Sequence, residues 1–237
     1  MDPQLLLRTE EGLDLPYLVW RFPAPCRVVS SAILGGGLGT RRWILNAQVK
    51  AGYGRLDPAE HLTELATAVD LAGPGVGLLT AADVDAWQSA TDEGARVDST
   101  VGVRVPTWAA SAAGVPDRTF TPGTINIVAF VPEPMADGAL VNLVATVTEA
   151  KTQALLDAGV PGTGTATDAV CIVAPMIERD RLDHAVLEPF GGPRSRWGSR
   201  LARATHAAVA AGTAVSFERL GRPDGGAADD PLADAEW

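Results

Sequence analysis

Histidine, cysteine and aromatic side chains are all scarce in this 237-residue chain: three His, two Cys, and 5% Phe, Trp and Tyr. His61, His184 and His206 stand at no metal-ligand spacing, and no His-Glu-x-x-His helix is present, so a zinc centre is not expected. Cys26 and Cys171 sit far apart in apolar runs and read as two buried, reduced thiols rather than a disulfide framework. Positive charge is also short, with 19 Lys+Arg against 29 Asp+Glu and a net charge of -10. A nucleic-acid partner, which needs a basic face, is therefore not expected. No apolar run approaches the ~18 residues of a membrane span, and no basic segment with an apolar run and cleavage site opens the chain. The expectation is a cytoplasmic protein. Nucleotide and serine-hydrolase signatures are missing too. Gly35 to Gly39 lacks the third glycine of a dinucleotide loop, Arg42 standing in its place, and lacks the Gly-Lys-Ser/Thr of a P-loop. No Gly-x-Ser-x-Gly elbow exists.

What is present is an ordinary globular composition, 46% hydrophobic and 20% charged, with a core that must be built from Val, Leu, Ile and Ala. Residues 1–25 read as two short edge strands broken by prolines. Cys26 to Leu34 and Trp43 to Val49 read as a hairpin about the glycine cluster. Pro58 to Leu71 has helical spacing, with Asp57 placed to cap it. Strands are predicted at Val76–Thr80, Val97–Val105, Thr124–Val131 and Thr165–Ala174, and a loop over 106–122. Ala136–Ala158 is a helix stopped by Gly159, and Trp197–Ala211 a helix stopped by Gly212. The expected fold class is α/β (α+β): a single domain over 1–220 with a mixed β-sheet and packed helices. An acidic, disordered tail is expected over 221–237.

Four polar features stand out of pattern. Asn142, Thr146, Glu149 and Gln153 form one stripe on the 136–158 helix, while Lys151, two residues from Glu149, points the opposite way. The stripe is either a solvated face or the wall of a site. Gly162 to Asp168 places hydroxyls and a carboxylate at a strand entrance, either as turn chemistry or as groups at a pocket edge. Asn126 interrupts an apolar strand, either as a structural amide or as a ligand contact. Asp83 is either a helix cap or a site carboxylate.

Taken in order, several segments resemble the adenosylcobinamide amidohydrolase (CbiZ) family. They are Ser30-Ser31-Ala32 with the glycine-rich turn, Trp43-Ile44-Leu45-Asn46, and Gly77-Leu78-Leu79-Thr80-Ala81-Ala82-Asp83-Val84. Thr100-Val101-Gly102, Gly123-Thr124-Ile125-Asn126-Ile127 and Thr148-Glu149-Ala150-Lys151-Thr152 follow. Gly164-Thr165-Ala166-Thr167-Asp168 and Trp197-Gly198-Ser199 complete the series. The likeness runs from about residue 26 to residue 211. It departs from the family at Ala166, where a glycine is usual, and in the charged segment 175–196, which holds Arg179, Arg181, Arg194 and Arg196 and reads as a variable lid.

The resemblance implies removal of aminopropanol from adenosylcobinamide to leave adenosylcobyric acid, in corrinoid (coenzyme B12) salvage. The corrinoid is then a small-molecule substrate, and no cofactor is implied. A corrinoid carrier without hydrolysis is the rival reading. Amide hydrolysis needs a nucleophile, donors for the oxyanion and an acid for the leaving amine. One scheme is attack by water, with Glu149 or Asp168 as base and Asn126, Asn46 or Lys151 polarising the carbonyl. The other is an acyl-enzyme on Thr167, Thr165 or Ser31, with Lys151 as base. Gly36, Thr80 and Asp83 complete the expected substrate-binding set, and all these groups are expected to converge in one water-poor hollow.

Overall fold

A computed structural model describes residues 2–111, 123–177 and 187–221. Its elements run β1 (Gln4–Glu10), β2 (Leu13–Ser30), β3 (Gly37–Gln48), α1 (Pro58–Ala68) and β4 (Gly75–Thr80). After a 3-10 turn at Val84–Ala86 come β5 (Gln88–Asp92), β6 (Ala95–Val101), β7 (Ile125–Phe130), α2 (Asp137–Asp157), β8 (Ala169–Pro175) and α3 (Arg196–Leu220). One mixed sheet joins all eight strands in the order β4-β3-β2-β8-β7-β6-β5, with β1 paired to β2. The β3–β4 and β7–β8 pairs are parallel and the rest antiparallel. The expected mixed α/β fold is found.

β2 is the strand that shapes the molecule. Its first half pairs with β1 and β3, and its second half (Cys26–Ser30) with β3 and β8. Between the halves the register against β3 shifts from Arg21 to Cys26, across Pro23 and Pro25, whose missing N–H groups cannot serve a ladder. Beyond that bulge the sheet folds back over itself. Leu18, Trp20, Ile44, Val76 and Leu78 from β2, β3 and β4 therefore share one buried cluster with Val128, Cys171 and Val173 from β7 and β8.

The period-2 alternation of each strand then sends the other face outward. Tyr17, Val19, Trp43, Leu45 and Ala47 pack on Leu62 and Ala66 of α1. Ile125, Ile127, Val170 and Ile172 pack on Leu140, Leu143 and Val147 of α2 and on Leu201 and Ala208 of α3. The result is four layers, helix, sheet, sheet and helices, with one apolar layer between the two halves of the sheet.

Several expected boundaries move. The two edge strands are a β1–β2 hairpin, and β2 continues through its prolines to Ser30. The strand expected to start at Thr165 starts at Ala169, and the one expected to reach Val105 ends at Val101. β5 has no apolar alternation in Gln88–Asp92 and is added only by its pairing with β6. Gly212 does not stop α3, which runs to Leu220; it lies buried inside the helix, where a Cβ would stand 2.6 Å from Cγ2 of Val101. Asp57 occupies the N-cap position of α1 but makes no side-chain cap, its carboxylate being held by Arg55 at 2.7 Å. Most of the expected acidic tail, 222–237, the 112–122 part of the 106–122 loop, and Arg179, Arg181 and His184 of the charged segment lie outside the described residues.

Candidate active site

The inter-sheet layer has an apolar centre, a buried Asp98 on β6 that accepts from Trp20 Nε1 at 3.0 Å, and a second group of polar side chains at one end. That end is where β7 and β8 begin and where β2, β4 and β6 finish. On β7 the alternation that sends Ile125 and Ile127 to the helices sends Asn126 inward. Its carboxamide is buried, and Nδ2 donates to Oδ1 of Asn46 at 2.9 Å and to the Leu79 carbonyl at 3.0 Å. Asn46, equally buried on β3, donates in turn to Oγ1 of Thr100 on β6 at 3.0 Å. Three residues from three strands thus form one hydrogen-bonded chain across the two halves of the sheet. Burying such amides is tolerable only because they bond one another.

At the outer end of this chain two hydroxyls meet. Thr124, one residue before β7, and Thr167, two residues before β8, have their Oγ1 atoms 2.7 Å apart. Thr167 also lies 3.2 Å from the Gly123 carbonyl as a donor. Thr124 is buried and Thr167 exposed, so the pair spans the boundary between the layer and solvent.

Asp168 turns the other way, toward α2. Its Oδ1 accepts from the Ile125 amide at 3.0 Å and the Thr165 hydroxyl at 2.5 Å, and its Oδ2 from the Thr165 amide at 3.1 Å and Lys151 Nζ at 2.5 Å. Lys151 is buried on α2, as its opposition to Glu149 on the helix requires. With four donors on one carboxylate, the pair ties α2 to the starts of both β7 and β8. The space is tight here: a Cβ on Gly164 would stand 2.5 Å from Lys151 Nζ.

The sequence-predicted residues therefore separate into groups. Asn46 and Asn126 come together with Thr100, a residue that the family likeness includes but whose own pattern gives no signal. Thr167 joins Thr124, whose place at a strand start is equally unremarkable in sequence. Lys151, Thr165 and Asp168 form the outward cluster. Ser31 extends β2 at the same end of the sheet, donating its amide to the Val170 carbonyl at 3.0 Å and accepting at Oγ from the Val170 amide at 3.1 Å. Thr80, buried at the end of β4, accepts from the Ala82 amide at 3.0 Å.

Lys151, Thr165 and Asp168 thus face away from the inter-sheet layer instead of converging in it, and three further expected members join neither group. Glu149 lies on the exposed face of α2, because two helical residues separate it by about 200° from buried Lys151. Of its stripe, Asn142 and Gln153 are also exposed, and Thr146 alone is buried, donating to the Gly191 carbonyl at 2.9 Å. Asp83 pairs with Arg219 of α3 at 2.8 Å, in a cleft that it lines with Gly102 and Ser216. Gly36 serves the turn after β2, where a Cβ would stand 2.3 Å from the Ala32 carbonyl oxygen.

Among the described residues no group of three or more His, Cys, Asp or Glu is placed to hold a metal ion, and no helix is long and apolar enough to cross a membrane. The described histidines lie elsewhere: His61 is held between Tyr53 and Glu10, and His206 pairs with Asp157.

Residues 5–219 match the CbiZ family, described as adenosylcobinamide amidohydrolase. The adenosylcobinamide amidohydrolase of Methanosarcina mazei is 27% identical over 189 residues, 78% of this chain and 89% of that protein. Among solved structures, the PH0078 protein of Pyrococcus horikoshii is 14% identical over 92% of this chain and 83% of its own, at a TM-score of 0.43. The L-aminopeptidase D-Ala-esterase/amidase of Ochrobactrum anthropi is 13% identical over 91% and 83%, at 0.41. The chain belongs to the CbiZ family of adenosylcobinamide amidohydrolases and is a hydrolase of amide bonds.

Proposed function

We propose that the polar end of the inter-sheet layer cleaves the amide joining aminopropanol to the corrinoid of adenosylcobinamide. The products are adenosylcobyric acid and 1-amino-2-propanol, and the reaction belongs to corrinoid salvage. The observation that carries this reading is the buried chain of Asn126, Asn46 and Thr100, capped by the Thr124–Thr167 hydroxyl pair at the solvent boundary. A fixed polar surface at the mouth of an apolar layer is what an amide needs: partners for its carbonyl and N–H, set where water is scarce.

Water is the attacking group in this reading, adding to the carbonyl carbon while its proton passes to the amide nitrogen, which leaves as aminopropanol when the C–N bond breaks. A nucleophilic hydroxyl requires a base within hydrogen-bond reach. Thr167 has a hydroxyl and a peptide carbonyl as its described partners, and Lys151 is turned to the far side of the sheet by Asp168. When Thr167 donates to Thr124, the Thr124 hydrogen is left for the oxyanion. The corrinoid acts as substrate, and the chemistry needs no cofactor.

Purified protein incubated with adenosylcobinamide should release 1-amino-2-propanol, detected by mass spectrometry, with adenosylcobyric acid formed in equal amount. Hydroxylamine present during turnover should trap no acyl-enzyme. Binding of adenosylcobinamide without amine release would instead favour a carrier.

A further inference from the structure

The carboxamide of Asn126 has one atom with nothing to bond. Its two Nδ2 hydrogens are consumed by Asn46 Oδ1 and the Leu79 carbonyl. The Leu79 carbonyl can only accept, so flipping the amide would set two oxygens against each other, and its ends are fixed. Oδ1 is therefore an acceptor of fixed direction, buried, and without a partner among the described residues. Two other buried side-chain atoms, the hydroxyl oxygens of Ser99 and Thr205, share that status, but a hydroxyl rotates to suit its surroundings and a doubly bonded carboxamide does not. Leaving a buried acceptor unpaired costs about 1–3 kcal/mol, and such orphans are rare in folded proteins.

Its position gives it a use. Thr124 and Asn126 project into the layer from the same face, two residues and roughly 6.8 Å apart along the strand direction. One presents a hydroxyl and the other a bare carbonyl oxygen. A trans secondary amide points its C=O and its N–H in opposite directions. With ordinary hydrogen bonds at each end, it can be addressed by a donor and an acceptor at neighbouring inward positions of one strand.

Resting on the proposed amide hydrolysis, we infer that Asn126 Oδ1 accepts the N–H of the scissile amide while the Thr124 hydroxyl addresses its carbonyl oxygen. The role expected for Asn126, polarising the carbonyl as a donor, is closed to it because both its hydrogens are committed. Asn126 is instead a catalytic residue that reads the nitrogen side of the bond. It selects secondary amides over esters and over tertiary amides, neither of which has an N–H to offer. Oδ1 is wholly buried in the free protein, so the sheet ends must part slightly to admit the substrate, and only a thin arm, such as an N-(2-hydroxypropyl) amide, reaches it.

The test compares the wild type with Asn126→Leu on adenosylcobinamide and on the oxoester analogue in which O replaces the scissile N–H. The expected result is that kcat/KM on the amide falls about 10- to 100-fold further than on the ester, the equivalent of one such hydrogen bond, the ester showing only the loss that the broken chain itself causes. The control Asn46→Leu, which breaks the same buried chain but keeps the Asn126 oxygen, should lower both substrates in equal proportion. A second measurement needs no variant. The ketone analogue with CH2 in place of N–H should inhibit the wild type with a Ki at least about tenfold above the KM of the amide. Equal losses on amide and ester in Asn126→Leu, or a ketone that binds as well as the amide, would overturn the role of Asn126 and leave the hydrolysis standing. No amine release by the wild type would overturn both.

Discussion

The carboxylate of Asp168 holds the backbone amide of Ile125 at 3.0 Å, and that bond sets the distance between their neighbours Thr124 and Thr167. One residue upstream of each, the two hydroxyls meet on the opposite face of the sheet. Lys151 completes the arrangement from α2, pressing the same carboxylate at 2.5 Å. The pair acts by fixing strand ends and does not touch the inter-sheet layer.

Asp168→Asn should consequently be destabilising, by about 3–5 kcal/mol, because it leaves the Lys151 ammonium buried without a counter-charge. Lys151→Met should cost less, since three other donors remain on Asp168. Urea denaturation of both variants checks the order. A more stable Asp168→Asn protein would mean that the pair is not what joins α2 to β7 and β8.

Glu149→Gln should leave turnover within about twofold of the wild type. The side chain is on the exposed face of α2, away from both polar clusters. Steady-state rates on adenosylcobinamide decide it, and a loss near the hundredfold typical of a missing general base would return Glu149 to the chemistry.

The thiol of Cys171 predicts how the protein fails in alkali. It faces the apolar inter-sheet layer, and burial pushes it up from 9.0 to about 12, with a hydrogen bond from Ser30 opposing part of the rise. A folded value above the unfolded one means the thiol favours folding fully below about pH 9. That contribution is lost as pH rises from there toward 12. Stability measured by urea at pH 7, 9 and 10.5 should fall over the last interval in the wild type. The fall should be shallower in Cys171→Ala, which has no proton to lose. Parallel curves would show that other groups govern the alkaline limb.

Two helical glycines should respond oppositely to alanine. Gly138 in the first turn of α2 has open space where a Cβ would stand, so Gly138→Ala should stabilise by up to about 1 kcal/mol. At Gly212 the added methyl would lie 2.6 Å from Val101, so Gly212→Ala should destabilise by about 1–3 kcal/mol despite its better helix propensity. Adding Val101→Ala should recover part of the loss. Thermal melts of the three proteins measure it.

That glycine illustrates what the sequence makes legible. Read alone, Gly212 after an apolar-periodic run is a stop signal; only the approach of β6 to α3 explains a glycine inside the helix. Local patterns serve well where local physics decides, as in α1 with its leading proline, the Asn126 strand and α2. They fail where partners are distant. β5 is a strand because β6 lies beside it, and the folding of the sheet about Pro23 and Pro25 is a long-range event. The site divides in the same way. Helical spacing places Lys151 opposite Glu149, but not which of the two is buried, since that depends on a carboxylate 17 residues on. Asn126 is visible as an amide in an apolar strand, whereas its partner Asn46 lies 80 residues away.

The hydroxyls of Thr124 and Thr167 are 2.7 Å apart, yet their exposures differ, and so should the effects of removing them. Thr124→Val keeps the shape of a buried side chain while deleting the donor next to Asn126, and removing one oxyanion donor typically costs about 10²–10³ in kcat. Thr167→Val removes the partner that orients Thr124 but leaves the Thr124 hydroxyl in place, so its loss should be smaller, about tenfold. Because the two act as a unit, the double variant should be little worse than Thr124→Val alone. Initial rates on adenosylcobinamide, with melting temperatures to confirm folding, separate this from the acyl-enzyme alternative. A covalent role for Thr167 would make Thr167→Val the more damaging single change, and would let hydroxylamine trap an intermediate in Thr124→Val but not in Thr167→Val.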